Sequence, residues 1–319
     1  MHYRRLGRTG LKVSEISLGA WITFGSQIDE QSSSDLIHAA YEQGVNFFDN
    51  ADMYANGKAE EVMGSAIRDL PREALVISSK VFWPSMPGPN GRGLSRKHIM
   101  ESIHASLRRL GTDYIDLYFC HRLDPDTPVE EVVRSMDDLV HQGKVLYWGT
   151  SEWEAAQIVQ AWGIARQYNL VPPVVEQPRY HLFQRRRVEI ELAPICKELG
   201  IGLTTFSPLA YGLLSGKYND GIPANSRMAT TDMAWIRDSI TPEKVSKVRQ
   251  LTALAQTLDL TTAQLAIAWL LRRKEISSVI TGATQVEQLD ENLAAGEAED
   301  KLTDDVLERI EKIAGNMPE

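Results

Sequence analysis

Short apolar runs recur along the chain and alternate with segments whose apolar residues follow a helical spacing. Between the third and fourth runs, for example, Ile99, Ile103 and Leu107 recur at this spacing, and Gly111 ends the pattern. The eight runs lie at residues 16–21, 45–48, 75–81, 115–120, 145–148, 174–176, 203–206 and 278–280. Short runs that contain β-branched and aromatic residues predict strands buried on both faces.

This alternation predicts one (β/α)8 barrel, of the TIM type, as a single domain over residues 1–319. A helix after each strand allows a right-handed crossover to the next parallel strand, and eight such units close into a barrel. Residues 3–13 place a Gly-containing turn between two short segments and predict an N-terminal β-hairpin. An open doubly wound sheet is the alternative. It is disfavoured because no Gly-x-Gly-x-x-Gly follows the first run.

Two connections are longer than a barrel requires. Residues 82–94 follow the third predicted strand, and residues 211–240 follow the seventh. Loops after strands lie at the C-terminal face of a barrel, where active sites are found, and long loops are usually functional. We therefore expect both loops to border an active site.

Composition and charge narrow the class of protein. Charged residues make up 24% of the chain and hydrophobic residues 43%, which is typical of a soluble globular enzyme. The net charge of −9 disfavours nucleic-acid and anionic-membrane partners. Cys120 and Cys196 lie in apolar stretches and are expected to be buried free thiols in a reducing compartment. No apolar signal segment follows the N-terminus, and the apolar segment 265–271 is far shorter than the ~18 residues of a membrane span, so we expect a cytoplasmic protein without membrane insertion.

Titratable side chains follow three consecutive predicted strands. Asp49 and Tyr54 come after the second strand. Lys80 stands at the end of the third strand, and His121 directly follows the fourth. Each residue alone has an ordinary explanation, such as a helix cap for Asp49, an ion pair for Lys80 or a core position for His121. Because parallel strand ends meet at one face of a barrel, the four groups together predict a catalytic site.

The four groups share a chemical logic. An ammonium group favours a nearby phenolate, so Lys80 is expected to lower the pKa of Tyr54 from its usual value of about 10. Asp49 would keep Lys80 protonated, and His121 could donate a hydrogen bond to a carbonyl oxygen that Tyr54 also contacts. Such a site polarises a carbonyl group while hydride arrives from elsewhere. Asp52 is expected to be an ordinary loop carboxylate or helix cap.

These four residues, in this order and at these strand ends, resemble the catalytic tetrad of the aldo-keto reductases, which are NAD(P)H-dependent (β/α)8 enzymes. Further segments resemble a subgroup that contains the voltage-gated potassium channel β-subunits and their bacterial and plant relatives. They lie at residues 91–99, 147–151, 180–185, 206–210 and 214–218. The resemblance extends from the hairpin to about Gly315.

The resemblance implies an NADP(H) site, with NAD(H) as the less favoured cofactor, along strands five to eight. Ser151 and Gln177 match residues that hydrogen-bond the carboxamide of the nicotinamide, and Phe206 matches the aromatic residue that stacks on its ring. Pyrophosphate contacts fall on Ser207, Pro208, Leu209, Gly212 and Lys217. Adenosine contacts fall on Gly282, Thr284, Gln288, Glu291 and Asn292, and Arg227 matches the neighbourhood of the 2′-phosphate.

Several of these positions also allow other interpretations. Lys217 could be a surface lysine, and Thr284 could begin an ordinary capping box with Glu287. Trp21 and Trp83 follow the first and third strands; they could be core aromatics, but we expect them to form walls of the substrate pocket. The histidines show no metal-binding spacing, so no metal is predicted.

The resemblance favours an NADPH-dependent reductase of small aldehydes or ketones. The subgroup resemblance gives a redox-sensing regulatory subunit of a membrane channel as the alternative function. Channel β-subunits carry asparagine where this chain has His121, which favours the enzyme. Residues 282–288, after strand eight, contain no Lys or Arg, so the preference for NADP would rest on Arg227 and Lys217 and be weaker than is usual in the family. Members of the subgroup are often tetrameric or larger, which implies a homo-oligomer. An isomerase or aldolase with Lys80 as a Schiff-base nucleophile is disfavoured, because Asp49 would hold the lysine charged.

Overall fold

A computed structural model describes residues 1–223, 226, 234–238 and 240–318 of the protein. Within these residues, eight parallel strands form a closed barrel in which each strand pairs with the next along the chain and the last pairs with the first. The barrel strands are β3 (Ile16–Gly19), β4 (Phe47–Asp49), β5 (Val76–Val81), β6 (Ile115–Cys120), β7 (Val145–Ser151), β8 (Val175–Gln177), β9 (Gly202–Thr205) and β10 (Ile276–Thr281). The predicted (β/α)8 barrel is confirmed, and each predicted run contains or overlaps one of these strands.

Helices surround the barrel, and the main ones connect successive strands. In the described part of the chain they are α1 (Glu30–Glu42), α2 (Lys58–Ala66), α3 (Arg96–Leu110), α4 (Val129–His141), α5 (Ala155–Gln167), α6 (Ala193–Leu199), α7 (Ala234–Arg237), α8 (Pro242–Gln256), α9 (Thr262–Leu271), α10 (Val286–Leu293) and α11 (Asp304–Ala314). The loops after β5 and β9 are long, as predicted. Across the described ranges, no helix is long and apolar enough to cross a membrane.

The N-terminal hairpin closes one end of the barrel. Its strands β1 (Tyr3–Arg5) and β2 (Lys12–Ser14) are antiparallel, as predicted. Leu6 and Val13 are fully buried and belong to the same apolar cluster as Phe47, Leu117 and other side chains of the barrel strands. The hairpin therefore covers the N-terminal strand ends, and the opposite end of the barrel is left for the site.

Hydrogen bonds join the hairpin to the last barrel strand and its surroundings. Arg4 donates to the carbonyl oxygens of Leu271 and Ile276, at 2.7 and 3.2 Å. The Ser278 hydroxyl donates to the carbonyl oxygen of Ser14 at 2.7 Å. These contacts connect the two ends of the sequence across the base of the barrel.

Helices α2 and α3 approach each other closely at Gly64. A Cβ atom added there would lie 2.6 Å from the carbonyl oxygen of Arg109 and 2.7 Å from the Cα atom of Leu110. Both atoms belong to the backbone of α3, so a side chain could be accommodated only by moving a helix. Gly163, in the exposed part of α5, has no heavy atom within 4 Å of the same added atom.

Replacing these two glycines by alanine should have opposite effects on stability. We expect Gly64→Ala to lower the free energy of unfolding by about 1–3 kcal/mol, because overpacking separates α2 from α3. Gly163→Ala should leave it unchanged or raise it by up to about 1 kcal/mol, because alanine favours helix without a clash. Urea denaturation of both variants provides the comparison. Equal effects at the two sites would contradict the close approach at Gly64.

Candidate active site

The four predicted catalytic residues lie at the C-terminal ends of three neighbouring strands. Asp49 ends β4, Lys80 is the second-last residue of β5, and His121 directly follows β6. Tyr54 lies in the turn after β4 and begins a short 3-10 segment. The next residues of this turn include Ala55, whose φ of 48° is in the left-handed region. Such backbone strain persists only where the surrounding structure holds it, and it is common at functional sites.

Lys80 is the centre of this group. Its side chain is fully buried, and its Nζ atom donates to Asp49 Oδ2 at 2.7 Å and to the carbonyl oxygen of Asn50 at 2.7 Å. The same atom lies 3.2 Å from Tyr54 Oη. The rings of Tyr54 and His121 face each other edge to face, with centroids 6.0 Å apart. The structure thus brings all four side chains together.

A second set of hydrogen bonds holds Asp49. Its Oδ1 atom accepts from the Ser78 hydroxyl at 2.7 Å and from Gln177 Nε2 at 3.0 Å. Gln177 comes from β8, on the far side of the barrel from β4. Three side chains from two other strands therefore donate to the carboxylate: Ser78 and Lys80 of β5 and Gln177 of β8.

Burial and charge set the protonation of the site. Burial lowers the pKa of Lys80, but Asp49 and then Tyr54 raise it, and the result lies above the usual value. Burial, with the positive charges of Lys80 and Arg122, holds the pKa of His121 well below its usual value. The lysine is therefore charged and the imidazole neutral at neutral pH.

The expected pKa shift of Tyr54 is wrong in direction. Burial raises the pKa of this phenol above its usual value, and Lys80 lowers it only in part. The tyrosine is only 9% exposed, so loss of water around a phenolate outweighs the attraction of the ammonium. Tyr54 is therefore protonated at neutral pH and held as a proton donor.

A large cavity opens beside these residues. Its volume is about 1070 Å³. The wall contains Asp49, Tyr54 and His121, whereas Lys80 lies beneath it. The residues expected to bind the cofactor also line this cavity: Ser151, Gln177, Phe206, Ser207, Pro208, Leu209, Gly212, Lys217, Gly282, Thr284, Gln288, Glu291 and Asn292. Arg227 lies outside the described residues.

Aromatic side chains border the cavity near the candidate catalytic group. The Trp83 ring centroid lies 6.3 Å from that of His121. The Trp21 ring lies 6.0 Å from that of Tyr211, which comes from the loop after β9. Both tryptophans are partly buried and line the cavity, so they are not purely core residues.

The loops after β9 and β10 shape the other part of the cavity. Gly212 has a φ of 92°, and an added Cβ atom would lie 2.7 Å from Cε of Lys217, so glycine leaves room for that lysine. The capping-box interpretation of Thr284 is wrong. Residue Gln285 occupies the cap position of α10, and the backbone N–H and hydroxyl of Thr284 both donate to Gln288 Oε1, at 3.0 and 3.1 Å.

Sequence reasoning missed two arginines in the cavity wall, Arg122 and Arg179. Arg122 immediately follows His121, and Arg179 lies two residues beyond Gln177. Both follow barrel strands on the same face, so the strand-end rule that selected the other residues could have found them.

Asp52 does not fit the expectation of an ordinary loop carboxylate or helix cap. It is 1% exposed, and Oδ2 accepts from the Ser102 hydroxyl of α3 at 2.7 Å. Its Oδ1 atom has no hydrogen-bond partner among the described residues. Burial raises the pKa of Asp52 to about 7, although the Ser102 hydrogen bond lowers it in part.

Comparison with known proteins finds one matching protein family and two similar plant proteins. The model of the Aldo/keto reductase family matches residues 15–314. A "Probable voltage-gated potassium channel subunit beta" of Arabidopsis thaliana is 50% identical over 322 residues, which cover 100% of this chain and 98% of that protein. A protein of the same name from Oryza sativa subsp. japonica is 49% identical with the same coverage.

The protonation of Asp52 should make stability depend on pH. Its folded pKa, about 7, lies above the value of about 3.9 in an unfolded chain. The folded state therefore holds the proton more tightly, and stability from this group is complete below pH ~4 and lost as pH rises through ~7. We expect Asp52→Asn to gain stability relative to the unsubstituted protein between pH 4 and pH 8, by at most about 4 kcal/mol.

Urea denaturation of both proteins at several pH values measures this difference. Asp113, which is exposed at the surface, provides the matched control, because Asp113→Asn should show no such gain. A stability difference for Asp52→Asn that is constant from pH 4 to pH 8 would contradict the raised pKa.

Proposed function

Because the chain belongs to the aldo/keto reductase family, we propose that residues 1–319 form one catalytic domain that reduces aldehydes or ketones with NADPH. The observation that carries this proposal is the group at the cavity wall, in which a buried Lys80 lies 2.7 Å from Asp49 and 3.2 Å from the Tyr54 hydroxyl. Carbonyl reduction needs a proton donor and groups that stabilise the charge on the oxygen. Tyr54 provides the proton, the charged Lys80 lies behind it, and the neutral imidazole of His121 lies beside it.

The cavity also fits a nicotinamide dinucleotide. Its volume of about 1070 Å³ exceeds the needs of a small carbonyl compound. Phe206 offers an aromatic surface for the nicotinamide ring, with Ser151 and Gln177 as partners for its carboxamide. Lys217, seated against Gly212, offers a positive charge for the phosphates. When bound, the reduced nicotinamide supplies the hydride that reaches the carbonyl carbon.

The residues of the chain provide the remaining steps. The neutral His121 donates an N–H to the carbonyl oxygen and orients it towards Tyr54. Tyr54 Oη transfers its proton to that oxygen as negative charge develops there. The Lys80 ammonium, held in place by Asp49, stabilises the phenolate that remains. Solvent then returns a proton to Tyr54, and the product is an alcohol.

Replacing Tyr54 by phenylalanine tests this mechanism. We expect Tyr54→Phe to lower kcat for NADPH oxidation with an aldehyde by roughly 100-fold or more, because the proton donor is lost. NADPH binding, followed by quenching of protein fluorescence, should be unchanged. The same assay with NADH in place of NADPH measures the cofactor preference.

Tyr168→Phe is the matched control, because Tyr168 is an exposed tyrosine on the outside of the barrel. It should leave kcat unchanged. An unaltered kcat in Tyr54→Phe would refute the role of Tyr54 as proton donor.

The names of the two relatives support a second candidate, a nucleotide-binding regulatory subunit of a membrane channel. Such a subunit would bind the cofactor in the same cavity and sense its redox state. His121, at a position where channel β-subunits carry asparagine, favours the reductase instead.

Turnover and partner capture separate the two candidates. The regulatory subunit predicts tight NADPH binding, no measurable turnover across a panel of aldehydes, ketones and quinones, and co-purification with a channel protein from membranes. The reductase predicts turnover that depends on Tyr54. Rapid turnover without any channel in the purified fraction would remove the second candidate.

A further inference from the structure

Two guanidinium groups lie in the cavity wall close to the candidate catalytic group. The guanidinium carbon of Arg122 is 5.8 Å from the Trp83 ring centroid, and Trp83 in turn lies beside His121. The guanidinium carbon of Arg179 is 5.6 Å from the Phe206 centroid and 5.2 Å from the Tyr211 centroid. Aromatic rings thus hold both groups at the cavity surface.

The charges of both arginines lack a close counter-ion. Among the described residues, no carboxylate lies within 4.0 Å of a guanidinium nitrogen of Arg122 or Arg179. The hydrogen bonds of Arg122 are to the His121 carbonyl and, at 3.4 Å, to the Ser151 hydroxyl, both neutral acceptors. Nε of Arg179 is buried and has no partner in the described part of the chain.

The Glu152 carboxylate, which attracts the charge of Arg122, is already engaged by other groups. Glu152 Oε2 lies 3.1 Å from Arg187, and Glu152 Oε1 accepts the backbone N–H of Arg179 at 2.7 Å. Burial lowers the pKa of Arg122 below its usual value, although the charge of Glu152 raises it in part, and the positive charge of Arg179 lowers it further. The guanidinium groups of Arg122 and Arg179 carry like charges on a partly buried surface. Binding of an anion beside them would stabilise both charges and provide hydrogen-bond acceptors for their N–H groups.

The proposed reduction leaves these donors without a role. Proton transfer uses the four residues at the ends of β4, β5 and β6, and the cofactor phosphates are assigned to the loops after β9 and β10. Arg122 is sequence-adjacent to His121, and its charge affects the pKa values of both Tyr54 and His121. An anion held by Arg122 would therefore lie close to the point where the carbonyl oxygen is protonated.

We propose that Arg122 and Arg179 bind an anionic group on the carbonyl substrate, so that the substrate is an aldehyde or ketone that carries a carboxylate or a phosphate. This inference rests on the proposed reductase function. The forked guanidinium N–H groups match both anions, and Trp21 and Trp83 offer apolar surface to the uncharged part of the substrate.

Pairs of substrates that differ in charge test the inference. 4-Carboxybenzaldehyde is compared with its methyl ester, and glyceraldehyde 3-phosphate with glyceraldehyde, so that the two arms separate carboxylate from phosphate. We expect the charged member of at least one pair to have a kcat/KM roughly 10-fold higher or more, because charge-assisted hydrogen bonds form with it alone. This preference should decrease as ionic strength rises.

Arg122→Met and Arg179→Met remove the charge and keep an apolar side chain of similar length. Each should lower kcat/KM for the charged substrate by roughly 10-fold more than for its neutral partner, so that the preference for charge is lost. Arg134→Gln, which removes an exposed arginine paired with Glu130, should change neither. NADPH affinity is measured for every variant. A weaker NADPH affinity with equal losses for both substrates would assign the arginines to the cofactor and overturn the inference.

The outcomes distinguish this inference from the proposed function. If both members of every pair are reduced equally well, the inference fails and the reductase function stands. If no substrate is reduced, the reductase function fails, and calorimetric titration with 4-carboxybenzaldehyde in the presence of NADP⁺ decides the inference. Weaker binding to the two arginine variants than to the unsubstituted protein would support an anion site, and equal binding would overturn it.

Discussion

The buried ion pair between Lys80 and Asp49 is the interaction on which the site depends. The two residues are 0% and 3% exposed, and removal of one partner would leave an unpaired buried charge, at a cost of about 3–5 kcal/mol. The pair also fixes its surroundings. Lys80 bonds to Asn50 and Tyr54, which holds the turn after β4, and Asp49 accepts from Gln177 of β8. One hydrogen-bonded group thus spans the mouth of the barrel from the proton donor to the expected nicotinamide site.

The barrel could be predicted from sequence because its strands are buried on both faces. Such strands appear as short continuous apolar runs, and residues 115–120 were predicted with the bounds that the structure shows. The positions of Asp49, Lys80 and His121 followed from the same rule, since any residue at a parallel strand end faces the same opening. The positions of the strands in the sequence were therefore enough to predict which polar side chains lie close together.

Properties that depend on the environment of a side chain could not be predicted in this way. Tyr54 was expected to have a lowered pKa because Lys80 was considered without the burial that outweighs it. Asp52 looked like a polar loop residue, but α3 packs over it and Ser102 hydrogen-bonds to it. The strand-end rule would place Arg122 and Arg179 at the cavity, but their lack of a nearby carboxylate is visible only in three dimensions.

The contacts of the N-terminal hairpin have a consequence for folding. Arg4 and Ser14 bond to residues about 270 positions further along the chain, and β3 pairs with β10. Contacts between such distant parts of a sequence form slowly and cannot form before the last strand has left the ribosome. Strands β4, β5 and β6, which carry Asp49, Lys80 and His121, are consecutive and can pair much earlier. The catalytic side chains can therefore gather during synthesis, whereas the cavity needs the loop after β10 and is completed last.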